Sequence, residues 1–206
     1  MPKNTFFNLA EEKRNRILEI SIDEFAVFGY QNASISRIVE KAEIAKGSFY
    51  QYFEDKKDLF KYVVDVGAEK KLNYFRHLME GMQEMDFFQL MREIFIGGIQ
   101  FAKENPKLST IGDQFMKSTD EQLKKEVLGE NIPKSNQFIE GLLIRGIAQG
   151  DIDPAIDVKM TAHMLTTFTM SIGEYFIKEV RVKDNMEIMA LVDKMLEIVK
   201  YGIHRK

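Results

Sequence analysis

The sequence predicts an all-α protein in which a small N-terminal group of three helices, carrying a helix-turn-helix, precedes a C-terminal helical bundle. Three observations carry this prediction. Apolar residues recur three and four positions apart in one stretch after another, the spacing that gathers them on one face of a helix. Residues 86 to 206 contain no strand-like alternation of any length. The helical patterns also end at recognisable stops: Gly29, Asn105 with Pro106, and Gly150.

Composition bounds the function. A chain of 206 residues with 45% hydrophobic and 30% charged residues is an ordinary globular protein with a sizeable core. It has no cysteine, which excludes a disulfide framework and thiol chemistry. No run of about 18 apolar residues is present to span a membrane. The first residues, MPKNTFFNLAEEKRNR, lack the apolar segment of a secretory signal, so a cytoplasmic location is expected. The net charge is −3, and residues 1 to 62 balance ten Lys and Arg against ten Asp and Glu. Any basic footprint must therefore be local.

Residues 11 to 28 place Leu18, Ile22, Phe25 and Ala26 on one stripe, flanked by Ile17 and Phe28, with Gly29 as the stop. Residues 34 to 60, SISRIVEKAEIAKGSFYQYFEDKKDLF, then hold two short helical patterns joined by a tight turn and the start of a third helix. Ser34 suits an N-cap, and Ile35, Ile38, Val39 and Ala42 follow at helical spacing. Phe49 and Phe53, four apart, anchor a second short helix and leave Lys46, Ser48, Tyr50, Gln51 and Tyr52, all hydrogen-bond donors, to point elsewhere. Asp55 is placed to cap the next helix, with Asp58 as an approximate capping-box partner. Lys56 falls in that helix's first turn, where the dipole prefers an anion. Alone it reads as a solvated lysine. Beside two phenols, an amide, a hydroxyl and Lys46, it reads as one of several donors converging on a phosphate.

These residues resemble the tetracycline-repressor (TetR) family of bacterial transcription regulators, with specific similarity over about the first third of the chain. The resemblance implies double-stranded DNA as partner, with the helix near Ser34 and Ser36 bracing a motif at about 34 to 53. The helix from about Lys46 to Tyr52 then enters the major groove. It places Lys46, Gly47 and Ser48 toward base edges, matches Tyr50 and Lys56 to phosphate-contacting positions, and leaves Ser34, Ser36, Gln51 and Tyr52 as further candidates for DNA contact. Tyr52 stands where the family most often has histidine. Two places depart from the pattern: Glu43 stands for the usual turn glycine and Ala45 for a serine or threonine. Glu43 must then hold a turn geometry that costs a non-glycine residue on the order of 1 kcal/mol.

The expected division is a DNA-binding domain over 1 to 62 and a ligand-binding and dimerisation domain over 63 to 206. A helix from Lys56 to about Gly81 is long enough to connect them, since about 25 residues rise well beyond a three-helix head. Phe87, Leu90, Met91, Ile94, Phe95 and Ile99 form the next stripe, and a short, weakly patterned piece runs to about Met116. A helix over Ile132 to Gln149 is expected with Pro133 near its start, and another opened by Asp153 and Pro154. The last begins near Met186.

In the resembled family the two C-terminal helices pair between subunits, which assigns Phe176, Ile188, Leu191, Val192, Met195 and Val199 to a homodimer interface on a palindromic operator. The alternative for each residue is the subunit's own core. Phe95, Phe115, Met116, Phe138, Met164, Phe168 and Tyr175 are candidates to line a pocket for a lipophilic small-molecule effector, methionine being adaptable filler. Taken singly, each is also ordinary core. Gln100, Gln114, Asn136, His163, Thr167 and Glu174 are the candidate polar groups for orienting that effector.

Enzymatic readings find no support. His77, His163 and His204 are scattered without metal-ligand spacing, and Gly97 with Gly98 is an isolated pair inside an apolar helix. No metal and no cofactor is expected. The reading from another class is a helical ligand-binding or scaffolding protein of the same architecture that no longer binds DNA. Glu43, Ala45 and the neutral head favour that reading; Lys46, Tyr50 and Lys56 together oppose it.

Overall fold

The structure, a computed structural model, describes residues 1–175 and 185–202; the side chains of 128–130, 170–175, 185, 186 and 188 lie outside that description. Among the described residues ten helices follow one another and there is no strand. They are α1 (Asn4–Phe7), α2 (Glu11–Asn32), α3 (Ile35–Lys41), α4 (Lys46–Tyr52), α5 (Lys56–Met79), α6 (Phe87–Glu104), α7 (Pro106–Met116), α8 (Glu121–Gln149), α9 (Val158–Tyr175) and α10 (Asn185–Tyr201). Two compact units result, Met1–Lys70 with Ala102–Gly129, and Lys71–Phe101 with Glu130–Lys206. In packing, therefore, residues 102 to 129 join the N-terminal helices, and α5, α6 and α8 each run on from one unit into the other.

In the first unit, α2 starts on Glu11 and Glu12, acidic residues that suit the positive end of the helix dipole. Its inner line is Ile17, Ser21, Glu24 and Phe25, all buried, while Leu18, Ile22 and Ala26 are half-buried and Phe28 is exposed. The apolar stripe expected from the sequence is thus rotated, because two inward positions are polar. The Ser21 hydroxyl donates to the Ile17 carbonyl at 2.6 Å, which satisfies it locally. Gly29, at φ 67°, breaks the helix where a stop was expected, and one further turn closes at Ala33. Phe25, Phe60 and Phe115 then meet edge-on and tilted at 5.0 and 5.8 Å, which binds α2, α5 and α7 into one core.

The α3–α4 turn carries the strain foreseen at Glu43. Its φ is 53°, and the Ile44 N–H reaches back to the Val39 carbonyl at 3.0 Å. This is the left-handed helix stop that glycine normally occupies, held here by a residue with a Cβ. At the head of α5, Asp55 Oδ1 accepts the Asp58 N–H at 2.8 Å, and Asp58 Oδ2 accepts the Glu54 N–H at 3.2 Å. The expected reciprocal cap forms, one residue earlier on its return side.

In the second unit, Leu90, Met91 and Ile94 of α6 pack with Leu142 and Leu143 of α8, Ala162 and Leu165 of α9, and Val192, Met195 and Leu196 of α10. At Gly97 α6 lies close to α5, since a Cβ there would stand 2.7 Å from Leu78 Cδ2 and that side chain would have to shift. Two expected boundaries move. The weakly patterned piece is helix α7, with Pro106 in its first turn, and α8 starts at Glu121 rather than Ile132, so Pro133 lies inside it. Proline there leaves one carbonyl of the preceding turn without its helical donor. Helix α9 starts at Val158 rather than at Pro154. Asp157 Oδ1 accepts the Met160 N–H at 3.0 Å and is the working cap, whereas Asp153 accepts from Ala155 in a separate turn. No helix among the described residues is long and apolar enough to cross a membrane.

Candidate nucleic-acid interface

Helix α4 has two faces. Phe49 and Phe53 are fully buried, as their spacing predicts, and Lys46, Gly47, Tyr50 and Gln51 are exposed, with Ser48 half-buried beside them. The Tyr50 ring stands edge-on to Phe49 at 5.2 Å. Tyr52 does not join this outer face. It is only 7% exposed, with its ring 6.2 Å from Phe6, because a residue three after Phe49 shares its inner face.

Helix α3 braces α4 without the expected hydroxyl cap. Ser34 occupies the N-cap position, but its side chain makes no capping bond. Its N–H donates instead to Glu24 Oε1 at 2.8 Å, which also accepts Arg37 Nε at 2.8 Å. Arg37 in turn donates to the Asn32 carbonyl at 2.8 Å and lies 4.1 Å over the Phe28 ring. Burial pushes the Glu24 carboxyl up, yet the bonds from Arg37 and Ser34 and the charges of Arg37 and Lys41 outweigh it, so its pKa is lowered. Ser36 is exposed on α3.

Lys56, expected at a phosphate, is half-buried with its ammonium turned onto the end of α2. Its Nζ donates to the carbonyls of Gln31 at 3.0 Å and Ala33 at 3.1 Å, and lies 4.9 Å over the Tyr30 ring. The broken end of α2 exposes carbonyls that need a donor, and the first turn of α5 is within reach. Glu43 pairs with Arg16 at 3.4 Å on the surface. Glu24 and Arg37 went unnoticed in the sequence because a buried acid on an apolar stripe looks like an interruption.

The residues expected around an effector divide between the units. Phe115 and Met116 belong to the core of the first unit. Phe95 and Phe138 are half-buried against the core of the second, and Phe138 stacks on Phe75 at 6.2 Å. Met164 and Phe168 are exposed, the former by 61%, and the side chains of Tyr175 and Glu174 lie outside the described residues. Gln114 donates to the Ala26 carbonyl within the first unit. Asn136 meets His163 at 3.2 Å, and Asn136 Oδ1 and Thr166 Oγ1 are buried without a hydrogen-bond partner, whereas Thr167 is exposed.

The expected dimer residues are likewise redistributed. Val192 and Met195 are buried in the second unit's own core, Leu191 and Val199 are half-buried against it, and Phe176 and the side chain of Ile188 lie outside the described residues. Among the described residues Met160, Met164 and Phe168, four apart on α9, form an exposed apolar stripe, and Ile198 of α10 is exposed as well. Apolar residues therefore lie on both sides of these helices. Among the described residues no group of His, Asp and Glu is placed to hold a metal ion.

Comparison with known proteins places this architecture. The family model for bacterial regulatory proteins of the tetR family matches residues 17–63, and that for the tetracyclin repressor-like C-terminal domain matches residues 85–204. A TetR family transcriptional regulator from Chloroflexus aurantiacus is 32% identical over 100% of both chains, with a TM-score of 0.58. The transcriptional regulator FadR from Bacillus subtilis, solved in complex with stearoyl-CoA, shares the fold at 20% identity and a TM-score of 0.70, over 92% of this chain and 99% of that one. The fatty acid metabolism regulator protein of Bacillus subtilis (strain 168) is 22% identical over 94% of this chain and 97% of its own. The C-terminal match spans more than half of the chain, and together with the helix-turn-helix it shows that this protein belongs to the TetR family of ligand-responsive, DNA-binding transcriptional regulators, which are not enzymes.

Proposed function

We propose that the chain binds a palindromic operator as a cytoplasmic homodimer, represses from it, and is released by a long-chain acyl thioester. The outer face of α4 carries the reading: Lys46, Ser48, Tyr50 and Gln51 form a compact set of donors backed by buried Phe49 and Phe53. Lys46, Gly47 and Ser48 at its start meet base edges, Tyr50 and exposed Ser36 contact phosphates, and Ser34 and Lys56 brace the motif. In function the DNA-reading part is residues 1 to 62 and the effector and dimer part 63 to 206.

A lone helix-turn-helix buries little surface, and two half-sites about 34 Å apart reward two-fold symmetry. Met160, Met164 and Phe168 of α9 form the face suited to meet a second copy, because an exposed apolar stripe gains from burial. The effector class follows from the relatives, one named for fatty acid metabolism and one solved with stearoyl-CoA. Phe95 and Phe138 supply apolar lining for such a chain, and Asn136 and Thr166 supply unpaired polar atoms for its head.

Selection of bound duplexes from a random pool tests the reading. The expected product is an inverted repeat whose half-sites are one helical turn or a multiple apart, released by stearoyl-CoA. Recovery of no enriched sequence would favour the helical ligand-binding protein that has lost DNA binding.

A further inference from the structure

Helix α4 has seven residues, too few for a helix to persist on its own pattern of bonds. Its last four carbonyls need donors from elsewhere, and each has one. The Phe49 carbonyl accepts the Phe53 N–H at 2.9 Å, in the ordinary continuation of the helix. The other three are met by a segment about fifty residues earlier in sequence. The Lys3 ammonium donates to the Tyr50 carbonyl at 2.9 Å, the Thr5 hydroxyl donates to the Gln51 carbonyl, and the Lys3 N–H donates to the Tyr52 carbonyl at 2.8 Å. Phe6 anchors the segment. It is fully buried, 4.9 Å from the Phe53 ring and 5.3 Å from the Tyr62 ring.

We infer that Lys3 and Thr5 are positioning residues for DNA recognition: they clamp the C-terminal end of α4 and so set the angle at which Lys46, Ser48, Tyr50 and Gln51 meet the groove. Their side-chain bonds lie at the exposed surface, where they add little to global stability. Their effect falls on the pose of one short helix. Base-edge bonds are directional, so a small rotation of α4 weakens specific contacts, whereas phosphate attraction tolerates it. The Lys3 charge also lies against the negative end of the α4 dipole. The inference rests on the family's DNA binding, and its test compares two duplexes.

The experiment pairs Lys3→Met with Thr5→Val in the full chain. Affinity is measured for a duplex selected with the unchanged protein and for a scrambled duplex of the same composition. Loss of two surface bonds is expected to lower operator affinity about tenfold. Scrambled-duplex affinity, the helical circular dichroism signal and the melting midpoint should hold, and Lys3→Arg with Thr5→Ser should restore specific binding. Repeating the pool selection with the paired variant should return a less defined half-site. A parallel loss on both duplexes, an unchanged operator affinity, or a loss of helix signal would each overturn the inference. Failure to select any operator would count against DNA binding by this chain and not against the clamp.

Discussion

The Lys56 ammonium donates to the Ala33 carbonyl at 3.1 Å, across the junction where α2 ends and α3 begins. With the bond to Gln31 and the Tyr30 ring beneath it, the side chain ties the first turn of α5 to the frayed end of α2. Burial lowers its pKa, partly offset by the Glu24 charge. Lys56→Ala is therefore expected to cost about 1 kcal/mol of stability by urea denaturation. The slope of log affinity against log salt should not change. A slope reduced by roughly one counterion would show that Lys56 leaves these carbonyls for a phosphate when DNA binds.

Glu24 makes a second prediction, in pH. Its folded-state pKa is lowered from the ordinary 4.5, since the bonds from Arg37 and Ser34 outweigh the upward push of burial. A carboxylate so held contributes its full stabilisation above the unfolded value and loses it as pH falls through the folded one. Glu24→Gln should cost about 1 to 3 kcal/mol at neutral pH, because the replacement leaves Arg37 without its carboxylate. Below pH 4.5 the gap between the two proteins should narrow. A constant gap in melting midpoint across that range would remove Glu24 from the acid response.

These side chains show where sequence reading succeeded and where it stopped. Phe49 and Phe53 revealed the recognition helix because two large apolar residues four apart leave one way to bury both. Gly29 was legible because a residue without a Cβ suits a helix stop, and Glu43 because it stands where the resembled family has a turn glycine. Ser21 and Glu24 were not, since their partners, the Ile17 carbonyl and Arg37 with Ser34, belong to the folded chain. Tyr52 was misread through its hydroxyl, while its position three after Phe49 buries its ring. Pro133 suggested a helix start, but a 29-residue helix carries it in its interior at the cost of one bond.

The dimer prediction separates two kinds of apolar stripe. Met195 is 5% exposed in its own unit, so Met195→Glu buries an unpaired charge and should unfold the protein, at several kcal/mol. Met164→Glu with Phe168→Glu changes an exposed face and should leave a folded protein that sediments as a monomer and binds operator weakly. A folded dimer in that variant would move the intersubunit contact off α9.

The last prediction concerns coupling. Ligand can release DNA only by favouring one arrangement of the protein over another, and the change it makes at the operator site must equal the change that operator makes at the ligand site. Of the helices that run from one unit into the other, we propose α5 as the carrier, because it starts directly after α4. It is one unbroken helix whose residues up to Lys70 belong to the unit that holds α4 and whose residues from Lys71 belong to the unit that holds Phe95 and Phe138. A shift of its second half on filling the bundle with an acyl chain would therefore act on the head through backbone bonds and not through a chain of side chains. The expected coupling is about 1 to 3 kcal/mol, a fall of roughly 5- to 150-fold in operator affinity at saturating stearoyl-CoA. Calorimetric titration of stearoyl-CoA into the protein, with and without saturating operator, must return the same factor in reverse. Equal affinities in the two titrations would leave any bound thioester uncoupled from DNA, and a loss of operator binding seen only above the thioester's micelle concentration would mark a detergent effect.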